Sequence, residues 1–298
     1  MRQKIGLAIL AEQGYLAGKV LAKCSELLPM PPVERANKPG VGSTRANRAV
    51  RRWSMMVSIS MGDSRTMSTQ AAPSRLNDDF SQRIVAHAAD AQWFPSPGPG
   101  VERRMLDRLA PETGRATSIV RYLPGAEFSP HRHGGGEEIL VLDGTLSDEH
   151  GDYPAGTYLR NPPGSSHAPY SKAGCTLFVK LWQFSPGDQE TLRIDTRHAE
   201  WRRGLVPGLN VMPLHEFDGV STALVAWAPH TVFNPHMHPG GEEILVLEGI
   251  FRDEDGEYPS GTWLRNPRWS RHAPYTRDEG ALIYVKVGHL GASFLQPD

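Results

Sequence analysis

The sequence predicts an all-β protein of two tandem jelly-roll domains behind an N-terminal extension. Three observations carry this prediction. The chain of 298 residues holds 30 Gly and 25 Pro, a turn-rich composition that favours short strands over long helices. Its apolar segments either alternate or run continuously for a few residues, and beyond the extension none keeps a helical period. Residues 131–170 recur at residues 236–275, an offset of 105, with 27 of 40 positions identical and no gap. A repeat of that length is too long for a solenoid unit and suits a whole domain.

The extension, residues 1–77, differs in composition from the rest. Residues 1–66 carry 11 Lys and Arg against 4 Asp and Glu. The stretch "ANKPGVGSTRANRAVRRWSMM" has neither a helical nor a strand period, so it reads as a disordered tail, or as an over-long start ahead of a true start at Met67. The opening "MRQKIGLAILAEQGYLAGKVLA" suits one short helix, but Glu12 and Gln13 interrupt it too early for a secretory signal.

Two units follow, at residues 78–186 and 187–298, with Trp93 and Gly100 of the first matched in spacing by Trp201 and Gly208 of the second. In each unit the strands come in the same order. "TSIVRYL" and "TALVAWA" are early strands. "EEILVLDG" and "EEILVLEG" are apolar strands expected to stop at Gly144 and Gly249. "DEHGDYPAG" and "DEDGEYPSG" are Gly/Pro turns, and "TLFVKLWQF" and "ALIYVKVGHL" are late strands. Antiparallel strands in this number pack as a two-layer sandwich or barrel.

Bulk properties exclude several classes of function. The formal net charge of −1 gives no global field toward nucleic acid or membrane. No segment approaches the roughly 18 uninterrupted apolar residues of a membrane span. The two cysteines, Cys24 and Cys175, build neither a disulfide framework nor a cysteine-rich zinc site. Such usage fits a cytoplasmic protein. The partners expected are a small-molecule ligand or O2, together with a second copy of the chain paired through exposed sheet edges.

The repeated segment also carries the chemistry. His131 and His133 stand two apart, so on a strand they face the same side. The glycines after them let the chain turn tightly and bring Glu137 back into the same cavity, with Glu138 pointing away. His167 follows the "NPPGSS" turn. The second unit repeats each interval with His236, His238, Glu242 and His272. Three imidazoles and a carboxylate inside an apolar barrel are costly to bury unless something pairs with them. All four persist in both copies while neighbours change, Arg132 to Met237 and Ser166 to Arg271. One divalent transition metal per unit is therefore expected, and the donor set suits Zn, Fe, Mn, Co or Ni. The isolated histidines His87, His150, His198, His215, His230 and His289 are expected to have no role in the site.

These residues resemble the cupin superfamily. Its first motif, G-x5-H-x-H-x3,4-E-x6-G, matches Gly125, His131, His133, Glu137 and Gly144; the second copy has His230 in the leading glycine position. Its second motif, G-x5-P-x-G-x2-H-x3-N, matches Gly156, Pro162, Gly164 and His167, with Ser171 for the Asn. In the second copy Gly261, Pro267 and His272 match, while Trp269 replaces a Gly and Thr276 the Asn. A residue as bulky as Trp269 is expected to reshape the second pocket. More narrowly, "H-x-H-x-G-G-E-E-x-L-V-L-x-G" resembles the ChrR-type cupins, which include the cupin half of zinc anti-sigma factors and dioxygenases of hydroxyacetophenone-like or diketone substrates. The anti-sigma proteins carry an N-terminal zinc domain with a His and a Cys-x-x-Cys. Here Cys24 is the only cysteine before Cys175 and no His precedes His87, so sigma-factor binding by that route is not expected.

The resemblance implies a non-haem metal dioxygenase acting on a small aromatic or diketone substrate. The alternatives are a stress-sensing regulatory bicupin and a metal-stabilised scaffold without turnover. Tyr122, Tyr158, Tyr170, Trp182, Trp227, Trp263 and Tyr275 are available either to line a pocket or to fill a core.

Overall fold

A computed structural model describes residues 71–291. The expectations placed on the leader helix, Cys24 and Met67 lie outside the described residues. Those described form strands and turns with no helix, and hence no helix long and apolar enough to cross a membrane.

Each repeat is built on a large antiparallel sheet. The order in the first is Leu192–Asp195, Thr157–Asn161, Glu137–Asp148, Cys175–Leu181, Ala116–Tyr122, Val101–Arg108 and Phe94–Pro95. In the second it is Ile84–His87, Thr262–Asn266, Glu242–Asp253, Ala281–Val287, Val220–Trp227, Leu209–Phe217 and Arg202–Arg203. The first strand in each order is exchanged. Ile84–His87 precedes the first repeat but pairs with the second, Ile84 opposite Arg265. Leu192–Asp195 follows the first repeat and pairs back onto it, Leu192 opposite Arg160. A cut at 186/187 follows the repeat in sequence; in space each half holds a strand of the other.

The continuous apolar strands have two buried faces. Along "EEILVL" of the first repeat, Ile139 and Val141 join the interior of their own unit. Leu140 and Leu142 join a second cluster, shared with Leu245, Leu247, Trp263 and Tyr284 of the other repeat. Ile244 and Val246 fill the interior of the second unit. Side chains alternate across a strand, so an unbroken apolar run serves an interior and an inter-repeat seam at once. Phe178 and Tyr284 meet edge-to-face across that seam, ring centroids 5.2 Å apart.

Gly144 and Gly249 do not stop the strand. Both take a positive φ of 70°, and a Cβ there would lie 2.2 Å from the carbonyl oxygen of Gly174 or Gly280. Glycine lets the strand bulge and carry on. Beyond it, Glu137–Asp148 pairs with Gly151–Pro154, and Glu242–Asp253 pairs with Gly256–Pro259. The continuation brings Asp148 and Asp253 to the histidine clusters.

Candidate metal centres

Short strand pairings assemble the histidines. His131–Arg132 pairs with Ser166–His167, setting His131 opposite His167. In the second repeat His236 lies opposite His272. The turn after His133 packs against Trp182, and a Cβ on Gly135 would come within 2.3 Å of that ring. Only glycine fits this close approach. Glu137 then opens its strand facing inward.

The donor atoms of His131, His133, Glu137 and His167 lie within 4.8 Å of one another. Nε2 of His133 and Nε2 of His167 are each 3.5 Å from Glu137 Oε2. In the second repeat His236, His238 and His272 form the tight group, with Nε2 of His272 3.1 Å from Nε2 of both His238 and His236. Glu242 stands just outside that group, its oxygens 3.6 Å from His238 and 3.7 Å from His272.

Surrounding groups fix the tautomers. His131 Nδ1 faces the Ser129 carbonyl at 3.0 Å, and His236 Nδ1 faces the Asn234 carbonyl at 3.0 Å. A carbonyl only accepts, so Nδ1 carries the hydrogen and the Nε2 lone pair points into the cluster. His167 Nδ1 lies 3.2 Å from Asp148 Oδ2. Asn161 donates to Glu137 Oε2 at 2.9 Å, as Asn266 does to Glu242. Carboxylate and amide partners of this kind orient ligands around metal ions.

The electrostatics agree. Burial favours neutral imidazole and lowers the pKa of His133 and His238; it is also the largest cause that takes His236 down to about 4. Burial opposes charge on Glu137 and Glu242, but their histidines and asparagines outweigh it, and both carboxyls are held below the usual range. On His272 burial is outweighed by Glu242 and Asp253, and the pKa rises. Nε2 of His133 and of His167 is buried without a hydrogen-bond partner. Orphaned buried acceptors are rare in folded proteins. Convergent lone pairs beside an ionised carboxylate fit a divalent ion, so each cluster could hold one.

The two centres differ in what lies above them. The first borders a cavity of about 310 Å³, lined by His131, His133, Glu137 and His167 among others. The second has about 30 Å³, room for roughly one water. Larger side chains account for the difference. At positions 105 apart, Tyr122 becomes Trp227 and Leu146 becomes Phe251. The Trp227 ring packs edge-on against Phe251 at 5.5 Å and Phe233 at 6.3 Å. Trp269, expected to reshape this pocket, instead stands 59% exposed. It adopts a φ of +67° where Gly164 has +88°, and His230 adopts +59° where Gly125 has +77°. The second repeat therefore keeps left-handed turns that the first makes with glycine.

Of the aromatics singled out in the sequence, Tyr122 and Trp182 line the first cavity, Trp227 fills the second, and Tyr158 and Trp263 belong to the seam between repeats. His215 and His289 are buried away from both clusters. Sequence reasoning missed Asp148, Asp253, Asn161 and Asn266, although each pair is identical at the 105-residue offset. It also missed Arg103 and Arg108 on the cavity wall, which no repeat signal marks.

Family and structure comparisons match this picture. The family model of the ChrR cupin-like domain matches residues 81–185 and 189–291. No curated protein matches the chain. Among solved structures, a candidate dioxygenase from Nostoc punctiforme aligns with a TM-score of 0.60 at 17% identity, covering 70% of this chain and 82% of its own. A candidate glyoxylate-induced protein from Pseudomonas aeruginosa gives 0.57 at 14% identity, covering 74% and 92%. The bacterial pirin YhhW of Escherichia coli, solved in complex with nickel(II), gives 0.51 at 14% identity, covering 69% and 99%. At such identities the likeness establishes the fold alone.

Proposed function

The chain belongs to the ChrR cupin-like family, and from that premise we propose that it is a metal-dependent bicupin enzyme of dioxygenase type, with one working centre and one structural centre. The first repeat turns over a small aromatic or dicarbonyl substrate. The second holds its ion in a closed pocket and contributes stability. The observation that carries this reading is the pairing of two like donor sets with unlike spaces, about 310 Å³ against about 30 Å³.

A redox-capable ion held by His131, His133, Glu137 and His167 would supply Lewis-acid and O2 chemistry at the cavity. The protein's own part is positional. Asn161 and Asp148 keep the carboxylate and the imidazole of His167 aimed inward. The apolar wall of Val120, Ile139, Leu177 and Val179 excludes water and strengthens every polar interaction within.

The test is oxygen consumption by iron(II)-loaded protein presented with β-diketones and hydroxyaryl ketones, with and without a carboxylate substituent. Substrate-dependent uptake is expected, absent in His133→Ala. No uptake by wild-type protein with iron, manganese or nickel across the panel would overturn the proposal.

A further inference from the structure

The geometry points to a substrate that carries a carboxylate: we propose that Arg103 and Arg108 form an anion subsite in the first-repeat cavity, and that Glu112 occupies it until substrate arrives. This rests on the reading of that cavity as the substrate site.

Both arginines lie on Val101–Arg108. Residues five apart on a regular strand face opposite sides. Here a bulge between Met105 and Asp107 shifts the register. Leu106 joins the seam between repeats, and Asp107 meets Arg265 of the other repeat at 3.3 Å. Arg103 and Arg108 consequently share the cavity wall with the four candidate metal ligands.

Both guanidinium groups are buried, with side-chain-bearing residues only 9% and 3% exposed. The Nε of each is buried without a hydrogen-bond partner. Arg108 donates from Nη1 to the Ala110 carbonyl at 3.2 Å. Arg103 donates through both terminal nitrogens to Glu112, at 3.0 and 2.6 Å. That fork is the geometry by which arginine recognises a carboxylate. Two buried cations beside one carboxylate leave positive charge that a second anion would neutralise. Glu112 is also the displaceable partner, since its side chain is 54% exposed and can be rehydrated at little cost.

The second repeat provides an internal control. Arg103 lies opposite Val120 and Arg108 opposite Ala116. The corresponding pairs are Val211 with Val225 and Glu216 with Ser221. The repeat without an open cavity has neither arginine, although it keeps the bulge, between Pro213 and His215. The arginines thus go with the cavity and not with the fold. Between them and the histidines the wall is aliphatic, so the ligand class is a small organic acid with an apolar body.

The probes are benzoate and its neutral isostere benzamide, titrated calorimetrically into the metal-loaded full chain. Benzoate should bind about tenfold more tightly. Arg103→Met and Arg108→Met, each checked for metal content and melting temperature, should erase that preference. Glu112→Gln should tighten benzoate binding several-fold, a gain that misfolding does not mimic. Equal binding of benzoate and benzamide by wild-type protein would overturn the proposal. So would a preference that survives both arginine substitutions, because the carboxylate would then be held by the ion. Lack of oxygen uptake with an intact benzoate preference would sink the dioxygenase reading and leave the anion subsite standing.

Discussion

The glutamate pairs Glu137-Glu138 and Glu242-Glu243 divide their duties by strand alternation. The first of each faces its own histidines. The second crosses the seam: Glu138 bonds Lys286 at 2.5 Å and Glu243 bonds Lys180 at 2.5 Å. His133→Ala and His238→Ala should each lower bound metal by about one equivalent, since each removes one of about four donors. Elemental analysis of the purified variants measures this, and an unchanged content in either would refute the assignment for that repeat. Asp148 acts one step further out. Its burial opposes ionisation, but the His150 backbone N–H, the Tyr153 hydroxyl and His167 hold its pKa low. Asp148→Asn should weaken metal affinity by about 10–100-fold, read by competition with a chelator, with little change in cavity size.

Among the elements, the two long strands Glu137–Asp148 and Glu242–Asp253 do the most to build the sites. Each carries a glutamate at one end and an aspartate at the other, with a glycine bulge between them. The cavity, in contrast, is decided by single residues on otherwise matching strands. Transplanting them should close it: Tyr122→Trp combined with Leu146→Phe is expected to abolish benzoate binding while metal content stays at the wild-type value. Retention of full benzoate affinity in that variant would show that something other than side-chain bulk separates the two pockets. The leading strands show a limit of reading along the chain. The bounds 78–186 and 187–298 place Ile84–His87 in the first unit and Leu192–Asp195 in the second, but strand pairing depends on which open sheet edge the chain can reach, and that edge belongs to the other repeat.

Across the whole molecule, the seam between repeats combines an apolar cluster with buried ion pairs. Lys180 pairs with Glu243 and Lys286 with Glu138 across it, Arg160 meets Asp188 at 2.6 Å, and His289 hydrogen-bonds Glu243. Burial, aided by Arg160, pushes His215 down to about 4; burial outweighs Glu243 at His289 and takes it to about 3. In the unfolded chain both would titrate near the ordinary value of about 6.5. Between these values the unfolded state binds more protons, so stability falls as pH falls. The contribution is complete above about pH 6.5 and is lost as pH drops through the folded values. The melting temperature should therefore decline from pH 6.5 to 4.5, and His215→Gln should decline less steeply. Parallel profiles would remove His215 from the cause. The exchange of strands and the shared cluster also predict one cooperative unfolding transition for both repeats.

The sequence alone determined the β class, the two-fold repeat and the eight candidate ligands, seven of which form two tight groups with Glu242 at the margin of the second. These follow from local periodicity and from duplication, both written along the chain. Tertiary structure decided where the second glutamate of each pair goes, which strand each sheet borrows, and which pocket stays open. Arg103 and Arg108 show why. Their spacing places them on opposite faces of any regular strand, and only a bulge, with Asp107 drawn toward Arg265, turns both guanidinium groups into one cavity. Register and packing depend on contacts between residues far apart in the chain, and no local pattern encodes them.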